Sequence, residues 1–313
     1  MAEIIITEFM DEEAVGILAS QYDTLYDPAL ADRQGEIPAL MSSARALIVR
    51  NRTKVGAAIL DASPRLACVG RLGVGLDNIE VDACKARDVA VYPATGANDL
   101  SVAEYVVTSA AMLLRRAYLS TEAMLAGKWP RQALVGGELA GRTLGLVGFG
   151  SIARQVAWRA HMLGMSIVAF DPFCPPDHEA WRLARNVSLD GVLELSDVVS
   201  LHTPLTAETR HMIDAAALAR MKPEAVLINA ARGGIVDEAA LAAAMKAGRI
   251  AGAALDVFET EPLTEEAAAK FRGLANLVLT PHIAGVTDES NVRVSQMIAE
   301  KVLAHLSSKE DRK

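Results

Sequence analysis

Short runs of β-branched and aliphatic residues alternate along this chain with longer stretches whose apolar positions recur at helical spacing. The runs 4–7, 46–50, 66–70, 89–92, 144–148, 166–170, 198–202, 226–229, 252–256 and 277–279 read as strands. Stretches 101–116, 152–163 and 238–247 read as helices between them. A last helix over 287–306 carries Val292, Val294, Ile298, Val302 and Leu306. Alternation of this kind predicts α/β architecture, with parallel sheets covered by helices.

One segment is more specific. Thr143-Leu144-Gly145-Leu146-Val147-Gly148-Phe149-Gly150-Ser151-Ile152-Ala153 runs from a buried strand through a glycine turn into a helix. Asp171 follows at the end of the next apolar strand. Gly148 suits a tight turn, Gly150 lets backbone approach a pyrophosphate, and the helix opening at Ser151 offers amides to it. Asp171 is placed to accept ribose hydroxyls. Ala153 stands where a third glycine is usual and is small enough for helix–strand packing. Pro172 and Phe173 follow Asp171 with no adjacent arginine for a 2′-phosphate, so NAD is expected over NADP.

This unit begins near residue 143, and a separate α/β pattern precedes it. Two domains are expected: 1–98 with 283–313, rejoined by the last helix, and a nucleotide domain over 99–282. The site is expected in the cleft between them, beside the carboxyl ends of the strands. Gly73-Val74-Gly75 echoes the nucleotide turn, but Leu76-Asp77-Asn78 does not continue the pattern, so it reads as a backbone loop.

Composition narrows the class. Hydrophobic residues are 51% of 313 and charged residues 22%, enough apolar content for a large core. A net charge of −8 argues against nucleic acid or an anionic membrane as partner. Cys68, Cys84 and Cys174 have no metal-like spacing and read as reduced thiols, so a cytoplasmic protein without a metal is expected. Glu3 and Glu8 flank the opening isoleucines, and no N-terminal signal is expected. The most apolar stretch, 105–114, is bracketed by Glu104, Arg115 and Arg116 and is too short to cross a membrane.

Three polar residues follow successive strands: Arg232 in Asn229-Ala230-Ala231-Arg232-Gly233-Gly234, Glu261 in Asp256-Val257-Phe258-Glu259-Thr260-Glu261-Pro262, and His282 in Thr280-Pro281-His282-Ile283-Ala284-Gly285. Taken singly, the arginine reads more readily as a surface ion pair and the histidine as a structural one. Together, beside a nucleotide turn, they match what interconversion of a 2-hydroxy and a 2-oxo acid requires. Arginine bonds a carboxylate bidentately, histidine exchanges the hydroxyl proton, and a carboxylate stabilises the imidazolium.

With His202-Thr203-Pro204-Leu205-Thr206 and Leu255-Asp256-Val257-Phe258 added, these motifs resemble the D-isomer-specific 2-hydroxyacid dehydrogenase family over nearly the whole chain. The resemblance implies a flavodoxin-like substrate domain, a Rossmann-type doubly wound NAD-binding domain and a homodimer. It implies Arg232, Glu261 and His282 as the catalytic set. Nucleotide contacts would come from Val102, Gly148, Phe149, Gly150, Ser151, Ile152, Asp171, His202, Thr203, Pro204, Thr209, Ala230, Ala231, Arg232, Asp256, His282, Ala284 and Gly285. His202 is expected to line the nucleotide site, not to do chemistry.

Within the family, the N-terminal half is most similar to D-3-phosphoglycerate dehydrogenases, through Val49-Arg50-Asn51-Arg52-Thr53-Lys54-Val55, Gly70-Arg71-Leu72-Gly73-Val74-Gly75 and Gly127-Lys128-Trp129-Pro130-Arg131. That likeness implies substrate contacts from Arg50, Asn51, Arg52, Arg71, Val74, Gly75, Asn98 and Arg131 beside Arg232 and His282. The arginines would hold a distal anion. Asn51 departs from the usual serine, and with Lys313 as the last residue the regulatory domain many such enzymes carry is not expected. A sulfonate suits the same mouth as a phosphate, and the segment 6–12 resembles sulfolactate dehydrogenases. The alternatives are a glyoxylate/hydroxypyruvate reductase, a general D-2-hydroxyacid dehydrogenase, or an NAD(H)-sensing co-repressor-like binding module.

Overall fold

The structure, a computed structural model, describes residues 2–310. It divides into two compact units, Met1–Asn98 with Val286–Lys313, and Asp99–Gly285. The first unit is built on five parallel strands: β1 (Ile4–Ile6), β2 (Thr24–Tyr26), β3 (Ala46–Val49), β4 (Cys68–Arg71) and β5 (Ala90–Pro93). Their order, β2-β1-β3-β4-β5, is that of flavodoxin-like sheets. Helices cover both faces, so β1 is apolar and buried at every position. Ile4 and Ile6 pack with Val294, Ile298 and Val302 of the helix Asp288–Glu310, and Ile5 packs with Ile37 and Leu47 on the other face. A Cβ at Gly70 would lie 2.6 Å from Ile298 Cγ2, so the bare glycine lets that helix close on the sheet.

The second unit has seven parallel strands: β6 (Thr143–Val147), β7 (Ser166–Phe170), β8 (Arg185–Asn186), β9 (Val198–Leu201), β10 (Val226–Asn229), β11 (Gly252–Leu255) and β12 (Leu277–Leu279). The order β12-β11-β10-β9-β6-β7-β8 is the doubly wound dinucleotide-binding arrangement with one strand added at its edge. Strands β9, β10 and β11 are buried throughout. The helices Asp99–Arg115 and Ser151–Met162 cover one face, and Leu189–Leu195, Ala215–Arg220 and Glu238–Lys246 cover the other. Ser188, Asp214 and Asp237 cap those last three helices by accepting a hydrogen bond from a first-turn amide.

Two strands lie outside the hydrophobic pattern. β2 is a three-residue edge strand, partly exposed at each position, and β8 is the exposed pair Arg185–Asn186. Neither buries enough apolar surface to leave a periodic signal. The last helix continues past residue 306 to Glu310 because its outer face is polar while Leu306 still packs inward. No described helix is long and apolar enough to cross a membrane.

Candidate active site

The glycine turn after β6 is shaped by contact. Gly148 has φ +89°, and a Cβ there would lie 2.5 Å from the His202 carbonyl oxygen, so only glycine fits. Gly150 is the N-cap of the helix Ser151–Met162, makes no side-chain capping bond, and has open space around it. Ala153 is fully buried where the helix meets the sheet. Asp171 ties the end of β7 to the turn: its carboxylate accepts from Phe149 N at 2.8 Å and from Phe173 N at 2.9 Å. The hydroxyl of Thr203, next to Gly148, is buried without a hydrogen-bond partner. An uncapped helix N-terminus, a glycine that must stay bare and an unsatisfied hydroxyl together fit a dinucleotide phosphate.

Other expected nucleotide residues have definite internal partners. His202 Nε2 lies 3.0 Å from Ser200 Oγ, and desolvation lowers its pKa to about 4, so the ring is neutral at physiological pH. Thr209 Oγ1 donates to Pro204 O at 2.7 Å. Val102 is buried in the core, and Ile152 packs against it. Two residues had no signal in the sequence pattern. Trp181 stacks on Phe149 with centroids 5.0 Å apart, and Arg154 Nε donates to Phe149 O at 2.9 Å, with Nη2 3.9 Å from Cys174 Sγ.

The carboxyl ends of β10, β11 and β12 bring Arg232, Glu261 and His282 into one neighbourhood. Buried Asn229 shapes the first loop, accepting from Ala231 N at 3.1 Å and donating to Arg232 O at 3.0 Å. Arg232 Nη1 donates to Ala231 O at 2.6 Å. A Cβ at Gly233 would overlap the Phe258 carbonyl, so the arginine loop presses its backbone against the loop that carries Glu261. Glu261 Oε1 accepts from Phe258 N at 2.9 Å, and Oε2 lies 2.7 Å from His282 Nδ1. Burial opposes the charge of Glu261. The hydrogen bonds from His282 and Phe258 N, with the charges of His282 and Arg232, outweigh it and hold the pKa below the ordinary carboxylate value. With Nδ1 engaged, His282 has Nε2 available for a substrate proton.

His282 sits at φ +54°, an uncommon conformation for a side chain of this size. Its amide donates to Asp256 O at 2.8 Å. The Asp256 carboxylate, 1% exposed, accepts from Ile283 N at 2.8 Å, Ala284 N at 2.8 Å and Thr280 Oγ1 at 2.6 Å. Thr280 donates there, so the Tyr105 hydroxyl, 2.7 Å away, donates to Thr280. Burial raises the pKa of Tyr105 and keeps it a donor. A second support holds the Glu261 loop: buried Glu238 accepts from Glu259 N at 2.7 Å and pairs with Lys270 Nζ at 2.8 Å.

In the first unit, Arg50, Arg52 and Arg71 have three different environments. Arg71 turns back on its own loop, donating to Leu72 O at 2.7 Å and Gly75 O at 2.8 Å, beneath Gly73 at φ +146°. Val74 and Gly75 are half-buried in that loop. Exposed Arg52 pairs with Asp32. Arg50 is largely buried and donates from Nη2 to Asn291 Oδ1 at 2.8 Å. Asn51 is exposed, and Asn98 Oδ1 is buried without a partner. Arg131, in the second unit, is exposed. Among the described residues no cluster of histidine, cysteine and acidic side chains could hold a metal ion.

Residues 107–284 match the family model "D-isomer specific 2-hydroxyacid dehydrogenase, NAD binding domain". The chain is 54% identical over 303 residues to the (S)-sulfolactate dehydrogenase of Chromohalobacter salexigens, covering 96% of this chain and 97% of that protein. It is 38% identical over 301 residues to the hydroxypyruvate reductase of Thermotoga maritima, covering 96% and 97%. A solved structure of D-lactate dehydrogenase from Aquifex aeolicus, complexed with NAD and lactic acid, matches with a TM-score of 0.83 at 27% identity, covering 98% of this chain and 96% of that one. NAD is thus the cofactor the second unit is built for. Gly148→Ala is expected to weaken NADH binding by about tenfold or more, because the new Cβ would strain the turn and push on His202. A fluorescence titration giving the wild-type Kd would show that the nucleotide does not depend on this turn.

Proposed function

The chain belongs to the D-isomer-specific 2-hydroxyacid dehydrogenase family, and from that premise we propose that it oxidises (S)-3-sulfolactate to 3-sulfopyruvate with NAD. The observation that carries the chemistry is the 2.7 Å bond between His282 Nδ1 and Glu261 Oε2. The likeness at 54% identity to an (S)-sulfolactate dehydrogenase supports the substrate. The stereochemical label agrees with the family description. In sulfolactate the sulfur-bearing carbon outranks the carboxyl carbon, so the (S) compound has the spatial arrangement that D-lactate has as (R).

The amides opening the helix Ser151–Met162, together with Asp171, would hold NAD. When bound, NAD supplies the acceptor for the hydride leaving C2. Arg232 holds the substrate carboxylate and polarises the developing carbonyl. His282 Nε2 takes the hydroxyl proton, and Glu261 stabilises the resulting imidazolium. Arg50 receives the distal sulfonate. The neutral ring of His202 stays out of the proton transfer.

We also infer a homodimer that works in the cytoplasm. Tyr118, Met124, Leu125, Trp129 and Val135 are exposed on the segment 117–135, and Trp158 and Met162 on the helix Ser151–Met162. Large apolar side chains left in water on this scale mark an interaction surface. Light scattering is expected to give about twice the chain mass, with Trp129→Asp shifting it toward one chain. A wild-type mass of one chain would refute the dimer.

Initial rates of NADH formation test the substrate. (S)-3-Sulfolactate is expected to exceed its (R) enantiomer, D-glycerate and D-lactate by about a hundredfold in kcat/KM. Equal rates on D-glycerate or D-lactate would make this a general D-2-hydroxyacid dehydrogenase. Robust turnover with none of them, beside tight NADH binding, would point to a sensor.

His282→Ala and Arg232→Ala are expected to lower kcat by roughly 10²–10⁴ with NADH binding retained. Wild-type turnover in either would remove that residue from the mechanism. Because the Glu261 pKa is depressed, its charge is complete at neutral pH and is lost only as pH falls through that lowered value. Glu261→Gln should therefore slow 2-oxo acid reduction most at neutral pH, and the gap to wild type should narrow in acid. A gap independent of pH would remove the carboxylate's charge from the mechanism.

A further inference from the structure

The loop after β3 is held from both sides in a way that singles out one guanidinium. Glu8, 4% exposed, points its carboxylate at three backbone amides of this loop: Arg50 N at 2.8 Å, Thr53 N at 2.9 Å and Arg52 N at 3.1 Å. Asn78 Nδ2 holds the loop's carbonyls, Thr53 O at 2.6 Å and Arg50 O at 3.2 Å. With donors and acceptors both engaged, the backbone from which Arg50 projects has little freedom.

The side chain of Arg50 is placed as firmly, but by neutral groups. Nη2 donates to Asn291 Oδ1 at 2.8 Å, and the guanidinium lies 6.0 Å from the centre of the Phe9 ring. Among the described residues no carboxylate lies within ion-pair distance of it. Glu8 is the acid that acts on it electrostatically, and that carboxylate is occupied by the three amides. Other arginines of this unit are paired: Arg33 with Asp27, Arg45 with Glu3, Arg52 with Asp32 and Arg87 with Asp61. A largely buried cation held only by an amide and an aromatic face lacks its counter-charge, and an arriving anion supplies it.

We propose that Asn291, on the helix Asp288–Glu310, is a specificity-determining positioning residue: its neutral carbonyl orients Arg50 for the distal anion of the substrate without neutralising it. This rests on the substrate reading above. An aspartate at the same place would reach the same nitrogen but carry a full charge. It would form an internal ion pair, and an incoming sulfonate or phosphate would have to displace it. Asparagine matches aspartate in size and differs in charge, so the distinction is electrostatic.

The test compares wild type, Asn291→Asp and Asn291→Gln in NADH formation on (S)-3-sulfolactate, D-3-phosphoglycerate and D-glycerate, which lacks the distal anion. Preference is the kcat/KM for each anionic acid divided by that for D-glycerate. Asn291→Asp is expected to lower the preference about tenfold or more, through KM and not kcat. Asn291→Gln, which keeps a neutral acceptor, should retain more of it. A change in general folding would lower all three substrates together and leave the ratios in place. A fall in the sulfolactate ratio identifies the anion as a sulfonate, and a fall in the phosphoglycerate ratio identifies a phosphate. Ratios unchanged in Asn291→Asp would overturn the role of Asn291 while the wild-type preference stood. A wild type with no preference for either anionic acid would overturn the substrate reading and this inference with it.

Discussion

The buried carboxylate of Asp256 is the constraint on which the Glu261–His282 pair rests. It ends β11 and gathers the amides of Ile283 and Ala284 and the hydroxyl of Thr280, while its own carbonyl takes the amide of His282. A buried charge of this kind persists only when its lone pairs are met by donors, and here three donors come from the loop that carries the histidine. That loop has no freedom to relax His282 out of its positive φ, and the ring is delivered to Glu261 as a result. Tyr105 extends the support from the helix Asp99–Arg115, through Thr280, to the same carboxylate.

Electrostatic roles are divided among residues that look alike in sequence. Two histidines follow strands of the same sheet. His202 is desolvated and neutral, and His282 is half-exposed against a carboxylate. Three arginines stand at or just after the ends of strands in the first unit's sheet. One folds onto its own backbone, one pairs with a surface acid, and one is held by neutral partners. Surroundings, more than residue type, decide which group can exchange a proton and which can receive an anion.

Much of the architecture was legible because buried parallel strands leave continuous apolar runs, and each unit's central strands follow that rule. The edge strands β2 and β8 escaped because they bury little. The glycine turn was legible because its conformation excludes other residues, and Arg232, Glu261 and His282 because each follows such a run. Their supports were not legible. Tyr105 meets Thr280 across 175 residues, and Glu8 meets the Arg50 loop across 42 or more. Nothing periodic or local in a sequence records such distant hydrogen bonds. Nor was the setting of Asp256, whose carboxylate is surrounded by donors from its own chain.

The contact between Gly233 and the Phe258 carbonyl has a consequence for how this scaffold can change. It joins the arginine loop to the glutamate loop by backbone alone, so side-chain replacement cannot readily alter their spacing. The groups proposed to handle carboxylate, proton and imidazolium, Arg232, His282 and Glu261, all lie in Asp99–Gly285, while the arginine with neutral partners and its asparagine lie in the other unit. On the proposed assignment, reaction type and substrate preference are written in separate stretches of the gene, and the second can drift while the first is inherited intact.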